Sequence, residues 1–153
     1  MADLNGRRVL VTGASSGIGR SVAVALAEAG AAVALLARRG DTLDELASEL
    51  RDVGARAVAT PADVTEMDEV RAAVALAAEE LGGLDGVVAA AGVVRPGGLA
   101  DVDPEDWRLT FDVNVVGLLN TCHAALAPLR AASTSDIVAI SSMSGRRRAS
   151  VAM

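Results

Sequence analysis

The stretch that decides the fold reads Thr-Gly-Ala-Ser-Ser-Gly-Ile-Gly and runs from Thr12 to Gly19. It follows a short apolar run of strand length and opens a segment with helical periodicity. A pyrophosphate needs a tight turn, a backbone without Cβ atoms where it approaches, and free N–H groups at a helix N-terminus. Gly13, Gly17 and Gly19 meet those needs. The pattern therefore predicts a dinucleotide-binding loop, and the alternative is a glycine turn that only packs a helix on a strand.

The rest of the chain alternates short apolar runs with longer helical stretches, which is typical of a parallel sheet covered on both faces. This alternation predicts an α/β fold. The predicted strands are residues 8–12, 32–37, 55–60, 84–89 and 136–141. The predicted helices are residues 17–29, 42–53, 66–81 and 104–131, the last of them bent near Asn114.

Chemical signals mark several boundaries of these predicted elements. Gly30 and Gly54 each follow a helical stretch, where a residue in the left-handed backbone conformation can end a helix. Thr65 and Asp103 are predicted N-caps, and Pro104 follows Asp103 at the first helical position.

Length and composition narrow the class of protein. The chain has 153 residues, of which 52% are hydrophobic, so residues 1–153 are expected to form one domain with a sizeable core. A net charge of −6 argues against a nucleic-acid or anionic-membrane partner. Cys122, the single cysteine, cannot form an internal disulfide, and a cytoplasmic location is expected. Cys122 and His123 have no partner cluster in the sequence, so no metal site is predicted.

Four further motifs follow the glycine stretch in order along the chain. Asp63 and Val64 come after the third predicted strand, and Ala-Ala-Ala-Gly, ending at Gly92, closes the fourth. Asn114 stands in the sequence Asp-Val-Asn-Val, and Ser142 belongs to the run Ile-Ser-Ser-Met-Ser-Gly after the fifth strand. With the glycine stretch, these motifs resemble the short-chain dehydrogenase/reductase family over residues 8–145.

The resemblance implies a Rossmann-like doubly wound parallel sheet with strand order 3-2-1-4-5, and a nicotinamide cofactor at the switch point between strands 1 and 4. It implies that Ser142 and Asn114 are catalytic residues. Ala89 and Ala90 depart from the family, which usually has Asn there, and this puts the rigidity of the central sheet in doubt. The cofactor-binding residues implied are Gly13, Ser15, Ser16, Gly17, Ile18, Gly19, Arg38, Arg39, Asp63, Val64, Ala91 and Gly92.

Two arginines after the second predicted strand favour NADP over NAD. An NAD site usually offers a carboxylate there to the ribose 2′-hydroxyl, and a carboxylate would repel a 2′-phosphate. Arg38 and Arg39 can instead form charge-assisted hydrogen bonds with that phosphate. The alternative is that one or both arginines are simply solvated.

The family's reaction, as the resemblance implies, is hydride transfer between the nicotinamide and a carbonyl or alcohol substrate. In that scheme a Tyr transfers the proton and a Lys lowers its pKa, because an unperturbed phenol near pKa 10 is a weak base at neutral pH. The sequence contains no Tyr, and all 14 cationic side chains are Arg.

The chain therefore reads as a family member truncated before the Tyr-x-x-x-Lys motif, incomplete on its C-terminal side and inactive unaided. The alternatives are a non-catalytic NADP-binding module and a half-protein that binds a partner. The fifth strand would be an exposed edge, so a complementing chain or a homo-oligomer is expected.

Overall fold

The computed structural model describes residues 3–95, 97 and 101–142. Within these residues the chain alternates strands and helices as the sequence predicts. The strands are β1 (Arg8–Thr12), β2 (Ala32–Leu36), β3 (Ala57–Ala59), β4 (Gly86–Ala89) and β5 (Asp136–Ala139). The helices are α1 (Gly17–Glu28), α2 (Gly40–Asp52), α3 (Met67–Leu81), α4 (Pro104–Phe111) and α5 (Gly117–Ala131), with a π-helical segment at Asp112–Val116.

The strands form one parallel sheet in the order β3-β2-β1-β4-β5. In the register of its centre, Leu10 of β1 lies between Ala34 of β2 and Val87 of β4. The strand order reverses at β1, because the chain first builds outwards to β3 and then returns to place β4 on the other side. The predicted α/β, Rossmann-like fold and its strand order are confirmed. The switch point lies between β1 and β4.

Hydrophobic layers cover both faces of the sheet. Successive strand residues point to opposite faces, so Leu10 and Leu36 pack with α3 and α5, whereas Val11 and Leu35 pack with α1 and α2. All four side chains are fully buried. This two-sided burial explains why the strands read as continuous apolar runs rather than as alternating patterns.

The boundary signals are confirmed with one exception. Gly30 and Gly54 follow α1 and α2 with φ of 92° and 89°, and Asp103 is the N-cap of α4. The prediction of Thr65 as the N-cap of α3 is wrong, because the helix begins at Met67 and its N-cap is Glu66. The hydroxyl of Thr65 instead donates to Oδ1 of Asp63 at 2.8 Å.

The long helix predicted over residues 104–131 is interrupted where the bend was expected. Asn114 is the central residue of the π-helical segment that separates α4 from α5. A π turn holds one residue more than an α turn, and that residue rotates everything after it by about 100° relative to an uninterrupted helix. The segment therefore decides which side chains of α5 face the sheet.

A charged network joins the N-terminal ends of β1, β4 and β5. The Asp85 carboxylate, whose side chain is 8% exposed, lies 2.9 Å from Nε of Arg7 and 2.9 Å from Nε of Arg8. Nη2 of Arg7 also lies 2.7 Å from Oδ2 of Asp136 on β5. The hydrogen bond with Asp136 and the charge of Asp85 raise the pKa of the Arg7 guanidinium, against an opposing effect of burial. The network ties the end strand β5 to the centre of the sheet.

No helix in the described part of the chain combines the length and the apolar character needed to cross a membrane.

Candidate functional site

The glycine stretch lies at the C-terminal end of β1, beside the end of β4. A Cβ on Gly13 would come within 2.8 Å of the carbonyl oxygen of Ala90, and a Cβ on Gly19 would overlap the carbonyl oxygen of Gly13. Both positions therefore require glycine for close backbone approach. The main-chain N–H of Ala14 donates to the carbonyl of Leu36 at 3.2 Å, which ties the same loop to the end of β2.

The N-terminus of α1 faces open space at Gly17. This residue has φ of +55°, and a Cβ built on it meets no atom within 4 Å. Ser16 is the N-cap but forms no side-chain capping bond, and the first turn holds no acidic side chain. Ile18 is exposed beside them. Main-chain N–H groups at a helix N-terminus attract anions, so the geometry and the donor chemistry fit a pyrophosphate.

The hydroxyl of Thr12 links β1 to the turn after β4. Thr12 is buried, and its Oγ1 accepts hydrogen bonds from the main-chain N–H groups of Ala90 at 3.1 Å and Ala91 at 3.0 Å. The resemblance puts the rigidity of the central sheet in doubt, because Ala89 and Ala90 stand where the family usually has Asn. Thr12 supplies hydrogen bonds that hold the turn after β4. The available signal was a polar side chain at the end of a buried central strand, which requires partners.

Arg38 and Arg39 are adjacent in sequence but make different contacts. Nη2 of Arg39 donates to Oγ of Ser15 at 3.1 Å and lies 3.4 Å from the carbonyl oxygen of the same residue. Nη1 of Arg38 lies 3.9 Å from Oδ2 of Asp63. Arg39 is thus held against the glycine loop, while Arg38 borders a cavity of about 350 Å³ that Pro61, Asp63 and Glu69 also line.

Asp63 and Val64 follow β3 in a loop with fixed hydrogen bonds. Oδ1 of Asp63 accepts from the main-chain N–H of Thr65 at 2.9 Å and from its hydroxyl at 2.8 Å. The main-chain N–H of Asp63 donates to Oε2 of Glu69 at 2.8 Å. Val64 is buried. Sequence reasoning missed Glu69, since a carboxylate in the first turn of a helix is ordinary and gives no sign of a loop contact.

The Asn114 side chain holds the segment that follows β4. Its Oδ1 accepts from the main-chain N–H of Val93 at 2.8 Å, and its Nδ2 donates to the carbonyl of Val93 at 2.9 Å. A Cβ on Gly92 would lie 3.4 Å from the same Oδ1. The structure thus brings Asn114 together with the predicted residues after β4, through contacts to the main chain.

Ser142 lies just beyond β5. The main-chain N–H of Ile140 donates to the carbonyl of Ala89 at 2.9 Å, so pairing with the β4 side continues one residue past β5. Ser142 is exposed at the same C-terminal edge of the sheet as the glycine loop. The rest of its motif, residues 143–145, lies outside the described residues, as do Pro96 and residues 98–100.

A larger cavity, of about 720 Å³, lies at the opposite end of the sheet, between α1 and α2. An ion pair between Arg20 and Glu49, 2.6 Å apart, joins the two helices there. Ligands of open parallel sheets bind outside the carboxyl ends of the strands, where helix N-termini supply N–H donors. The carboxyl edge of the sheet, which carries both the glycine loop and the 350 Å³ cavity beside Arg38, is therefore the candidate functional site, although that cavity is the smaller of the two.

Known proteins resemble the chain in sequence over nearly its whole length. A family model described as short chain dehydrogenase matches residues 7–153. The chain is 44% identical over 144 residues to glycine betaine reductase ATRR of Emericella nidulans, covering 94% of the chain and 11% of the reductase. It therefore spans only a small part of that relative.

Two solved structures share the fold and differ in cofactor. A gluconate 5-dehydrogenase from Burkholderia cenocepacia, in complex with NADP and tartrate, superposes with a TM-score of 0.89 at 35% identity and covers 95% of this chain. A carveol dehydrogenase from Mycobacterium avium, in complex with NAD, gives a TM-score of 0.90 at 29% identity and covers 97%. The chain spans 57% and 59% of these two proteins.

Proposed function

Because the chain belongs to the short-chain dehydrogenase family, we propose that it forms the cofactor-binding part of a nicotinamide-dependent oxidoreductase acting on a carbonyl or alcohol. The observation that carries the proposal is the open N-terminus of α1 at Gly17, set at the switch point between β1 and β4. We treat residues 1–153 as one incomplete domain of that enzyme, since the chain spans 57–59% of two related dehydrogenases. A cytoplasmic location is proposed with it.

We propose that different residues of this chain bind different parts of the cofactor. In the proposal, the main chain at Ser16, Gly17 and Ile18 binds the pyrophosphate. Asp63 and Val64 contact the adenine, and Ala91 and Gly92 border the nicotinamide half. A bound nicotinamide cofactor supplies or accepts the hydride. The glycines let the ligand approach the backbone closely.

The amino-acid composition limits which catalytic steps this chain can perform. Ser142 would orient the substrate oxygen, and Asn114 would act by holding Val93 in place. The proton must then be moved by another group, because these 153 residues contain no Tyr and no Lys. We propose that the proton-transfer residues come from outside this sequence and that the chain alone binds the cofactor without turnover.

NADP is the proposed cofactor. Related structures bind NADP in one case and NAD in another, so family membership alone does not choose. The support comes from Arg39, whose guanidinium is held over Ser15 at the edge of the glycine loop, and from the adjacent Arg38. A guanidinium placed beside a hydroxyl gives a 2′-phosphate both charge and hydrogen-bond donors.

Reversal of charge at Arg39 tests this preference. We expect Arg39→Glu to weaken NADPH binding by about 30-fold, because a charge-assisted hydrogen bond contributes about 1.5–3 kcal/mol. NADH binding should change by less than about threefold, because NADH has no 2′-phosphate at this position. The measurement is fluorescence titration of the purified chain with each cofactor. Arg71→Glu, an exposed arginine on α3 paired with Asp68, is the control. An equal loss for both cofactors would contradict the NADP assignment.

A second candidate function, binding of a further chain, is favoured by the exposed apolar surface on one side of the molecule. β5 is the last strand of the described sheet, and Ile137 and Val138 on it are exposed. The helical segments beside it carry an apolar stripe in which every fourth residue is 38–60% exposed. The residues of this stripe are Trp107, Phe111, Val115 and Leu119.

We propose that a second copy of the chain covers this stripe. A twofold axis near the middle of the stripe would bring the same four side chains of both copies together and bury them.

Sedimentation velocity tests this association. We expect the chain to sediment as a dimer at micromolar concentration and the double variant Phe111→Glu, Leu119→Glu to sediment as a monomer, because four like charges would face one another in the interface. Val53→Glu, an exposed apolar site after α2, should leave the dimer intact. A wild-type chain that is monomeric at every concentration would exclude this partner.

A further inference from the structure

We infer that Asn120 on α5 is a positioning residue for the adenosine half of the cofactor site, an inference that rests on the proposed function. Asn120 is 8% exposed and lies far in sequence from the residues that it contacts. Its Nδ2 donates to the carbonyl of Val64 at 3.0 Å and lies 3.3 Å from the carbonyl of Thr65. One amide therefore binds two consecutive peptide units of the loop that follows β3.

The loop after β3 needs hydrogen-bond partners outside the sheet, because its main chain leaves the sheet before it reaches the proposed adenine contact. The main chain is still paired with the β2 side at Thr60 and Ala62, whose N–H groups donate to the carbonyls of Leu35 and Ala37. Beyond Ala62 the chain turns toward α3. The buried Asn120 amide provides hydrogen bonds to the peptide units beyond that point, and buried carbonyls left without such partners are costly.

The hydrogen bonds of Asn120 influence the position of Asp63 through Thr65. Oδ1 of Asp63 accepts from both the main-chain N–H and the hydroxyl of Thr65. The orientation of the carboxylate is therefore tied to the peptide unit that Asn120 holds. Asn120 does not need to touch the cofactor to influence the adenine contact. It fixes the backbone from which Asp63 and Val64 face that contact.

A second residue of α5 supports the same loop. A Cβ on Gly117 would lie 2.6 Å from Cγ2 of Val64, so the helix backbone packs directly against this buried side chain. Gly117 is itself buried, and its carbonyl accepts from the Thr121 hydroxyl at 2.8 Å. The close approach allowed by Gly117 brings the Asn120 amide within reach of the loop.

Asn114 lies in the π-helical segment that precedes α5 and supports a different loop, so it serves as the comparison for Asn120. Asn114 holds Val93 after β4, whereas Asn120 holds Val64 and Thr65 after β3. The two asparagines therefore support loops that flank opposite halves of the proposed cofactor. Loss of one should affect one half of the ligand, and loss of the other should affect the other half.

Two half-cofactors separate these effects. The probes are 2′,5′-ADP for the adenosine half and reduced nicotinamide mononucleotide for the other half, with binding followed by NMR titration of the purified chain. We expect Asn120→Ser to weaken 2′,5′-ADP binding about tenfold, as the loss of hydrogen bonds to the loop would, and to leave the affinity for the mononucleotide unchanged. Asn114→Ser should give the reverse pattern. Gly117→Ala, which displaces Val64 without removing a hydrogen bond, should reproduce the Asn120→Ser pattern and serves as the second variant.

The outcomes distinguish this inference from the function on which it rests. If the wild-type chain binds neither probe, the proposed cofactor site is wrong and the inference falls with it. If the wild-type chain binds both, but Asn120→Ser and Gly117→Ala weaken both probes equally or neither, Asn120 is only a structural residue. A selective loss of 2′,5′-ADP affinity in both variants, with thermal unfolding still cooperative, supports the positioning role.

Discussion

Replacement of Gly17 by aspartate is expected to weaken NADPH and NADH binding by at least about 100-fold, or about 2.7 kcal/mol. The new carboxylate would stand in the open space at the N-terminus of α1, where the proposal places the pyrophosphate. It would repel the phosphates and compete for the same main-chain N–H groups. Fluorescence titration with both cofactors measures the loss, and both should be affected because the pyrophosphate is common to them.

Gly17→Asn is the matched control for this prediction. Asn and Asp have nearly the same shape, and both tolerate the left-handed backbone that Gly17 adopts at φ +55°. The two variants should therefore unfold at similar temperatures, and the difference in their affinities reports the charge alone. Equal losses would assign the effect to bulk rather than to charge. Retained affinity in Gly17→Asp would show that no phosphate lies at this helix N-terminus.

The fold could be predicted because its signals are local and repeated. β1 was predicted with the bounds that the structure gives it, since the apolar residues Val9, Leu10 and Val11 lead directly into the glycine stretch. β3 was predicted too long, over residues 55–60, and is Ala57–Ala59. Ala55 and Arg56 precede the ladder with β2, which begins at Ala57, although the carbonyl of Arg56 still accepts from the N–H of Val33 at 2.9 Å. Pairing with a neighbouring strand fixes such ends, and composition does not show it.

The contacts of the site were less predictable because they join distant parts of the chain. The sequence identified Arg38 and Arg39 as a pair and could not show that one contacts Asp63 and the other Ser15. Asn120 gave no signal at all, since an Asn within a helix usually points to solvent. Its partners lie 56 and 55 residues away. Such contacts depend on how α5 packs, and the π-helical segment sets that packing.

Replacement of Asp85 by alanine is expected to lower the free energy of unfolding by about 3 kcal/mol, at the low end of the range for breaking a buried ion pair. The carboxylate is almost fully buried, and its removal leaves the guanidinium groups of Arg7 and Arg8 without their common partner. Both arginines are about 30% exposed, so water would compensate part of the loss. Urea denaturation followed by circular dichroism gives the value.

The control for this prediction is Asp68→Ala, which removes an ion pair of a different kind. Asp68 is 97% exposed and lies 3.2 Å from Nη1 of Arg71 on the same helix. Exposed pairs of this type typically contribute less than about 0.5 kcal/mol. If Asp85→Ala cost no more than Asp68→Ala, the network at the ends of β1, β4 and β5 would not stabilise the sheet. A large difference would show that the Asp85 carboxylate, which joins β1 to the start of β4 through Arg7 and Arg8, stabilises the sheet.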